Sequence, residues 1–177
     1  SGSHLTNTFG YTADEIKKDK FKIDYKIENT IDNDSSISIS KSYGILILSL
    51  AEALNKLKPD LFILLGDRYE TSAAATTALI AKIPIAHLQG GEITEAAIDD
   101  QFRHSITKMS HYHFCFAEKY RKRVIQMGEN PKNVKNYGAL NVDSSLKTKK
   151  LSKNNLEKKL KFKLDKKNIM VTFHPET

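Results

Sequence analysis

Three groups of polar residues between positions 66 and 104 have the composition of a catalytic site. They are residues 66–70 (Gly-Asp-Arg-Tyr-Glu), residues 87–92 (His-Leu-Gln-Gly-Gly-Glu) and residues 98–104 (Ile-Asp-Asp-Gln-Phe-Arg-His). Carboxylates can transfer protons, and cations can bind an anionic substrate. The first two groups end apolar runs that we interpret as buried strands, and ligands of open α/β sheets bind at the carboxyl ends of strands. The pattern therefore predicts acid–base chemistry at one sheet edge.

The first two groups also have structural explanations. Asp67 can cap the helix that follows it, although the adjacent Arg68 is also suited to substrate positioning. Gly90 and Gly91 can bring the backbone close to a ligand, or they can simply form a tight turn. The residues alone leave both interpretations open.

The third group combines two acids with two bases at helical spacing. Asp99 and Asp100 lie at the start of a predicted helix, where acids interact favourably with the helix dipole. Arg103 and His104 follow them at i,i+4 spacing, so the four side chains lie on neighbouring faces. A carboxylate beside a histidine is also a common acid–base arrangement. The structural and catalytic interpretations are again both open.

A metal site is a further possibility that the spacing argues against. His111, His113 and Cys115 alternate along a predicted strand. Neighbours on one strand face are about 6.6 Å apart, so three in line converge poorly on one tetrahedral ion. We therefore expect no metal. His174 follows the last predicted strand, where it either meets a ligand crevice or lies in a surface loop.

Composition narrows the class of protein. The 177 residues contain 40% hydrophobic and 28% charged residues, with one cysteine and a net charge of +7. Ten lysines lie in residues 147–167, and we interpret them as the solvated face of a helix rather than as a nucleic-acid site. The apolar run 45–54 is too short to cross a membrane. We expect a cytoplasmic protein with no nucleic-acid or membrane partner.

Apolar runs alternate with helical patterns along the chain, which predicts an α/β fold with a parallel sheet and right-handed crossovers. The predicted strands are residues 61–65, 83–88, 112–116, 134–137 and 168–173, with an edge strand at 21–27. A helix with capping-box spacing begins near residue 12, and another ends near residue 57. The remaining helices are predicted at residues 70–81, 98–110 and 118–127, followed by a basic helix. Because the chain starts without methionine and stops after an apolar run, we expect an internal fragment.

The combined motifs resemble the UDP-N-acetylglucosamine 2-epimerase family. The similar segments are residues 2–5 (Gly-Ser-His-Leu) with Phe9-Gly10, residues 66–114, and residues 172–175 (Thr-Phe-His-Pro). The resemblance is to the hydrolysing branch, which makes N-acetylmannosamine for sialic acid synthesis and acts in bacterial legionaminic acid synthesis. It implies a Rossmann-like parallel sheet, part of a two-domain GT-B fold with the active site between the domains. Residues 1–146 would form the N-terminal domain without its first strand, and residues 147–177 a linker and the start of the second domain.

The resemblance also implies a mechanism. A base removes the proton at carbon 2 as UDP leaves carbon 1, and water then adds to the 2-acetamidoglucal to release N-acetylmannosamine. The substrate is a UDP-sugar, no cofactor is needed, and the full-length form is a homo-oligomer. The implied catalytic residues are Asp67, Asp99, Asp100, Glu92 and His174. The implied substrate-binding residues are His4, Arg68, Gln89, Gly90, Gly91, Arg103 and His104.

Gln89 departs from the family pattern, because some members have a glutamate there. A neutral amide cannot act as a base, so Glu92 or an aspartate would take that role. Two alternatives remain open: the same chemistry on UDP-N,N'-diacetylbacillosamine, and a non-catalytic fragment that binds a nucleotide sugar. The isolated 177 residues are expected to be inactive.

Overall fold

The computed structural model describes residues 1–31 and 35–173 of the chain. The chain divides into two compact units, Ser1–Gly138 and Ala139–Thr177. The domain boundary expected between residues 146 and 147 stays a prediction.

A parallel four-stranded sheet forms the centre of the first unit, as the sequence predicts. Its strands are β1 (Phe62–Leu65), β2 (Ile85–Leu88), β3 (Tyr112–Cys115) and β4 (Val134–Asn136), and they lie side by side in chain order. Leu65 pairs with Leu88, and Leu88 pairs with Phe114. Because the register aligns the last residues of β1 and β2, the loops after them begin at one edge.

Helices connect the strands. The first unit contains α1 (Ala13–Lys18), α2 (Ser36–Leu57), α3 (Tyr69–Ile80), α4 (Ile98–Met109) and α5 (Glu118–Gln126). The second contains α6 (Leu140–Lys147) and α7 (Lys153–Leu160). Helix α7 confirms the basic helix that the sequence predicts. Short 3-10 helices cover Gly2–Leu5, Asn7–Phe9 and Pro131–Asn133.

The core of the first unit lies where α3 packs between the sheet and α2. Ala75 and Ala78 of α3 are fully buried and form one cluster with Leu54, Leu64 and Ile85. Alanine at these positions lets neighbouring backbones approach closely, which fixes the start of α3 beside the end of β1. The site described below depends on this packing.

Helix α2 is longer than the apolar run 45–54 that the sequence analysis considered. Its 22 residues and a mean hydropathy of 1.4 would by length and composition suffice to cross a membrane. The same pattern occurs in core helices, and Leu46 and Ala53 of α2 pack with Ala73 of α3. This packing explains part of the apolar character of α2, while Ile37 and Leu48 on the same helix are exposed.

Three local predictions were wrong. Residues 21–27 and 168–173 form no strand, and Ile169, Met170 and Val171 are more than 80% exposed. An extended segment needs a neighbouring strand for its backbone hydrogen bonds, and neither segment pairs with another strand in the described part of the chain. Helix α1 begins as predicted, but no side chain caps it. The Thr12 hydroxyl instead lies 2.7 Å from His4 Nδ1.

Candidate active site at the carboxyl ends of strands β1 and β2

A buried arginine organises the polar residues at this sheet edge. The Arg103 guanidinium, on α4, forms an ion pair with Asp67, which follows β1. It also donates to the Thr94 hydroxyl at 2.9 Å and contacts the Asp100 carboxylate at 3.4 Å. Only 5% of the Arg103 side chain is exposed, so nearly all of its charge is compensated by these groups. Asp67 is therefore held by a cation, and no side-chain hydrogen bond caps α3.

Asp100 is fixed by several partners. Besides Arg103, its carboxylate accepts a hydrogen bond from the Thr94 backbone N–H at 2.9 Å. Its second oxygen lies 3.7 Å from His104 Nε2. These contacts connect the loop before α4 to the helix itself, and they give Asp100 an anchoring position.

Asp99 lies in a different environment. Within the described part of the chain, no hydrogen bond or ion pair reaches its carboxylate. Burial, followed by the negative charge of Asp67, raises the pKa of Asp99 above its ordinary value, while Arg68 and Arg103 oppose the shift. A carboxyl group with a raised pKa and no fixed partner is suited to gaining and losing a proton.

The turn after β2 is shaped by packing against α4 and α5. A Cβ at Gly90 would lie 3.0 Å from Thr107 Oγ1, and a Cβ at Gly91 would lie 2.5 Å from the Tyr120 carbonyl oxygen. Gly91 also has a φ of +88°, which disfavours other residues. Packing thus supports the tight-turn interpretation of both glycines, and their contact with a substrate stays a prediction.

Gln89 begins this turn in the left-handed region, with a φ of 72°. Its backbone N–H donates to the Phe114 carbonyl oxygen at 2.9 Å. A non-glycine residue in this conformation is strained, and such strain is common at functional sites. Glu92, three residues later, has no hydrogen bond or ion pair to any other described residue.

A cavity of about 520 Å³ adjoins Asp67 at the end of β1. His4, Asp67, Arg68 and Glu70 contribute to its lining. Arg68 is 61% exposed and lies 3.3 Å from the Glu70 carboxylate, so its guanidinium can bind an anion from solution. Glu70 was not predicted to be a site residue from the sequence, where it reads only as an acid in the first turn of a helix.

The structure thus brings most of the predicted residues to one sheet edge. Asp67, Asp100, Arg103 and His104 form one contact network. His174 lies outside the described residues. Sequence analysis missed Thr94, which has no distinguishing local pattern.

The alternating residues His111, His113 and Cys115 do not share a site, because each has its own surroundings. His111 Nδ1 accepts a hydrogen bond from the Ile85 N–H at 3.2 Å, and His113 Nε2 lies 3.2 Å from the Glu129 carboxylate. Burial raises the pKa of Cys115 to about 11. No group of three metal-binding side chains occurs among residues 1–31 and 35–173.

Comparison with known proteins identifies relatives over the whole chain. A Campylobacter jejuni protein named GDP/UDP-N,N'-diacetylbacillosamine 2-epimerase (hydrolyzing) is 46% identical over 177 residues, which are 100% of this chain and 46% of that protein. A Legionella pneumophila protein named UDP-N,N'-diacetylbacillosamine 2-epimerase (hydrolyzing) is 36% identical over 175 residues, covering 99% of this chain and 46% of that one. The chain therefore spans just under half the length of these relatives.

A solved structure has the same fold. The UDP-GlcNAc 2-epimerase from Neisseria meningitidis bound to UDP-GlcNAc gives a TM-score of 0.69 at 23% identity, covering 76% of this chain and 37% of that one. The sequence model of the family described as UDP-N-acetylglucosamine 2-epimerase matches residues 1–177. The chain belongs to the UDP-N-acetylglucosamine 2-epimerase family.

Proposed function

We propose that the protein is a hydrolysing 2-epimerase that converts UDP-N-acetylglucosamine into N-acetylmannosamine and UDP. The observation that carries this proposal is the ion pair of Asp67 with buried Arg103, together with Asp99, whose pKa is raised and whose carboxylate has no hydrogen bond or ion pair to any described residue. Family membership supplies the reaction class. We further propose that residues 1–146 are the first of two Rossmann-like domains and that residues 147–177 lead into the second.

The reaction needs two proton transfers at carbon 2 and the departure of UDP from carbon 1. In the first step a base takes the proton from carbon 2, the carbon 1–carbon 2 double bond forms, and the bond from carbon 1 to UDP breaks. In the second step a proton returns to the opposite face of carbon 2 while the hydroxyl of water adds to carbon 1. Two carboxyl groups in different surroundings are suited to this sequence of proton transfers.

The environments of the aspartates suggest how the roles divide. Asp67 is held in place by Arg103, so its position is defined. Asp99 has a raised pKa, and no hydrogen bond or ion pair within the described residues fixes its carboxylate, so it is suited to carrying a proton between steps. The contacts of Asp100 with Thr94 and Arg103 make it better suited to anchoring the loop.

The cations and polar groups around the cavity would bind the substrate. Arg68 is exposed at the cavity and would contact the diphosphate. The remaining proposed substrate-binding residues are His4, Gln89, Gly90, Gly91, Arg103 and His104. Glu92 and His174 stay candidates for catalytic contacts. Glu92 follows Gln89 by three residues in the sequence and could supply the carboxylate that Gln89 does not have. No cofactor is proposed, and the homo-oligomer and the cytoplasmic location stay part of this proposal.

UDP-N,N'-diacetylbacillosamine is a second candidate substrate. The specific observation is that the relatives from Campylobacter jejuni and Legionella pneumophila are named for activity on this sugar. Both substrates carry a hydrogen and an acetamido group at carbon 2 and UDP at carbon 1, and the proposed elimination removes that hydrogen and UDP. The same residues would therefore perform the same chemistry on either sugar.

UDP release by the complete gene product tests the proposal. Each UDP-sugar is supplied separately, and free UDP is measured by chromatography, with Asp67→Asn as the inactive control. Release from either sugar that depends on Asp67 supports the reaction class, and the ratio of kcat/KM values identifies the substrate. A folded protein that binds both sugars and releases no UDP would support the non-catalytic alternative.

A further inference from the structure

His87 is a buried histidine that lies between the two elements carrying the Asp67–Arg103 pair. It belongs to β2 and is fully buried. Its Nε2 lies 3.0 Å from the Gly66 carbonyl oxygen, and its Nδ1 lies 3.2 Å from Thr107 Oγ1. Gly66 directly precedes Asp67, and Thr107 lies one helical turn after Arg103. One imidazole ring thus contacts both the turn after β1 and helix α4.

The partners of the ring determine which nitrogen carries the proton. A carbonyl oxygen can only accept, so Nε2 must donate its hydrogen to Gly66. In a neutral ring Nδ1 then accepts, and the Thr107 hydroxyl is the donor within reach among the described residues. The Thr107 hydroxyl can also donate its single hydrogen to the Arg103 carbonyl oxygen at 3.1 Å. That oxygen already accepts a backbone hydrogen bond of the α-helix, whereas Nδ1 has no other donor among the described residues, so donation to Nδ1 satisfies both acceptors.

The surroundings of the ring favour the neutral form. Burial lowers the pKa of His87 to about 4, with further lowering by the charges of His113 and Arg103, while the hydrogen bond to Gly66 and the charge of Asp67 act in the opposite direction. The ring therefore stays neutral across the range in which most enzymes work. A fully buried imidazole whose Nδ1 lone pair accepts a hydrogen bond from Thr107 has no free lone pair to offer a substrate.

Gly90 provides the space that this arrangement needs. A Cβ at this position would lie 3.1 Å from His87 Nδ1 and 3.0 Å from Thr107 Oγ1. Either contact is closer than a side-chain carbon normally approaches, so an alanine would press on both partners of the hydrogen bond. The glycine turn after β2 and the His87–Thr107 contact therefore fit together as one unit.

We propose that His87 is a positioning residue that, as the Nε2–H tautomer, holds the Gly66–Asp67 turn and helix α4 in register. Through Gly66 it sets the start of the turn that carries Asp67. Through Thr107 it sets the helix that carries Arg103. The catalytic consequence rests on the proposed function, whereas the tautomer and its hydrogen bonds do not.

The tautomer is tested by NMR of the complete gene product labelled with 15N-histidine. We expect the His87 signals of the Nε2–H form, unchanged from pH 8 to pH 5. An Nδ1–H form, or a titration near the ordinary histidine pKa, would overturn the proposal. This result does not depend on any enzyme activity, so it separates a failure of this inference from a failure of the proposed function.

The positioning role is tested with Thr107→Val and its matched control Thr107→Ser. The valine has nearly the shape of threonine but no hydroxyl, whereas the serine keeps the hydroxyl. We expect Thr107→Val to lower kcat by about 10-fold to 100-fold, because small displacements of reacting groups are costly, with KM within about twofold. Thr107→Ser should recover most of the loss. Equal kcat values for the valine variant and the unchanged protein would overturn the positioning role.

Discussion

Arg103→Met should destabilise the protein because it removes the positive charge that Asp67 and Asp100 share. The arginine side chain is 5% exposed, while those of Asp67 and Asp100 are 26% and 22% exposed. Removing one partner of a buried ion pair costs about 3–5 kcal/mol. Water can reach both aspartates in part, so we expect the lower end of that range, about 3 kcal/mol. Methionine fills a similar volume, which keeps the cavity contribution small.

Urea denaturation of the complete gene product measures this loss. Lys17→Met is the matched control, because Lys17 pairs with Asp14 at 2.9 Å but is 53% exposed. Exposed pairs contribute little to stability, so the control should leave the free energy of unfolding almost unchanged. Equal effects of the two substitutions would refute the view that Arg103 organises the site.

A double-mutant cycle isolates the Arg103–Asp67 interaction. Asp67→Asn removes the carboxylate charge, and the double variant removes both charges. Residues in one ion-pair network couple by about 0.5–3 kcal/mol, and the direct pair with a buried guanidinium predicts a value in the upper half of that range. A coupling energy near zero would mean that the two side chains do not interact in solution.

Two further substitutions test the environment of the site. Burial, followed by the charge of Asp67, raises the pKa of Asp99 in the folded protein. The folded protein therefore holds the Asp99 proton more tightly than the unfolded chain does. The contribution of Asp99 to stability falls as the pH rises through the folded pKa. Asp99→Asn should therefore gain stability relative to the unchanged protein as the pH rises through the folded pKa, while lowering kcat, measured by thermal unfolding at several pH values and by UDP release; a stability difference that does not change with pH would contradict the shift. Gly91→Ala should cost at least about 2 kcal/mol, because its Cβ would meet the Tyr120 carbonyl oxygen at 2.5 Å and its φ is +88°. Its control Gly44→Ala, in an open helical position, should stabilise by up to about 1 kcal/mol, and a harmless Gly91→Ala would contradict the packing of this turn.

Strands β1, β2 and β3 could be predicted because each lies in a mainly apolar run with its own local boundaries, whereas β4 contains only one apolar residue, Val134. Residues 61–65 were predicted, and the strand is Phe62–Leu65. The wrong strands at residues 21–27 and 168–173 have similar composition. What distinguishes them is the lack of a neighbouring strand in the described chain, which is a tertiary property that no local pattern contains.

The site residues were predictable where the chemistry lies in adjacent residues, and less so where partners are distant. Of the two i,i+4 pairs considered in α4, the contact between Asp100 and His104 is formed at 3.7 Å. Arg103 instead pairs with Asp67, which lies 36 residues earlier. His87 occurs within an apolar run, and nothing nearby in the sequence identifies Thr107 as its partner.

The most direct test of the proposed function is the reaction of the complete gene product with UDP-N-acetylglucosamine in heavy water, followed by NMR. The account predicts free UDP together with N-acetylmannosamine deuterated at carbon 2, and loss of both products in Asp67→Asn. Deuterium at carbon 2 reports removal of that proton, and free UDP reports cleavage at carbon 1. Interconversion of UDP-N-acetylglucosamine and its carbon 2 epimer without loss of UDP would contradict the proposed function. UDP release without deuterium at carbon 2 would also contradict it.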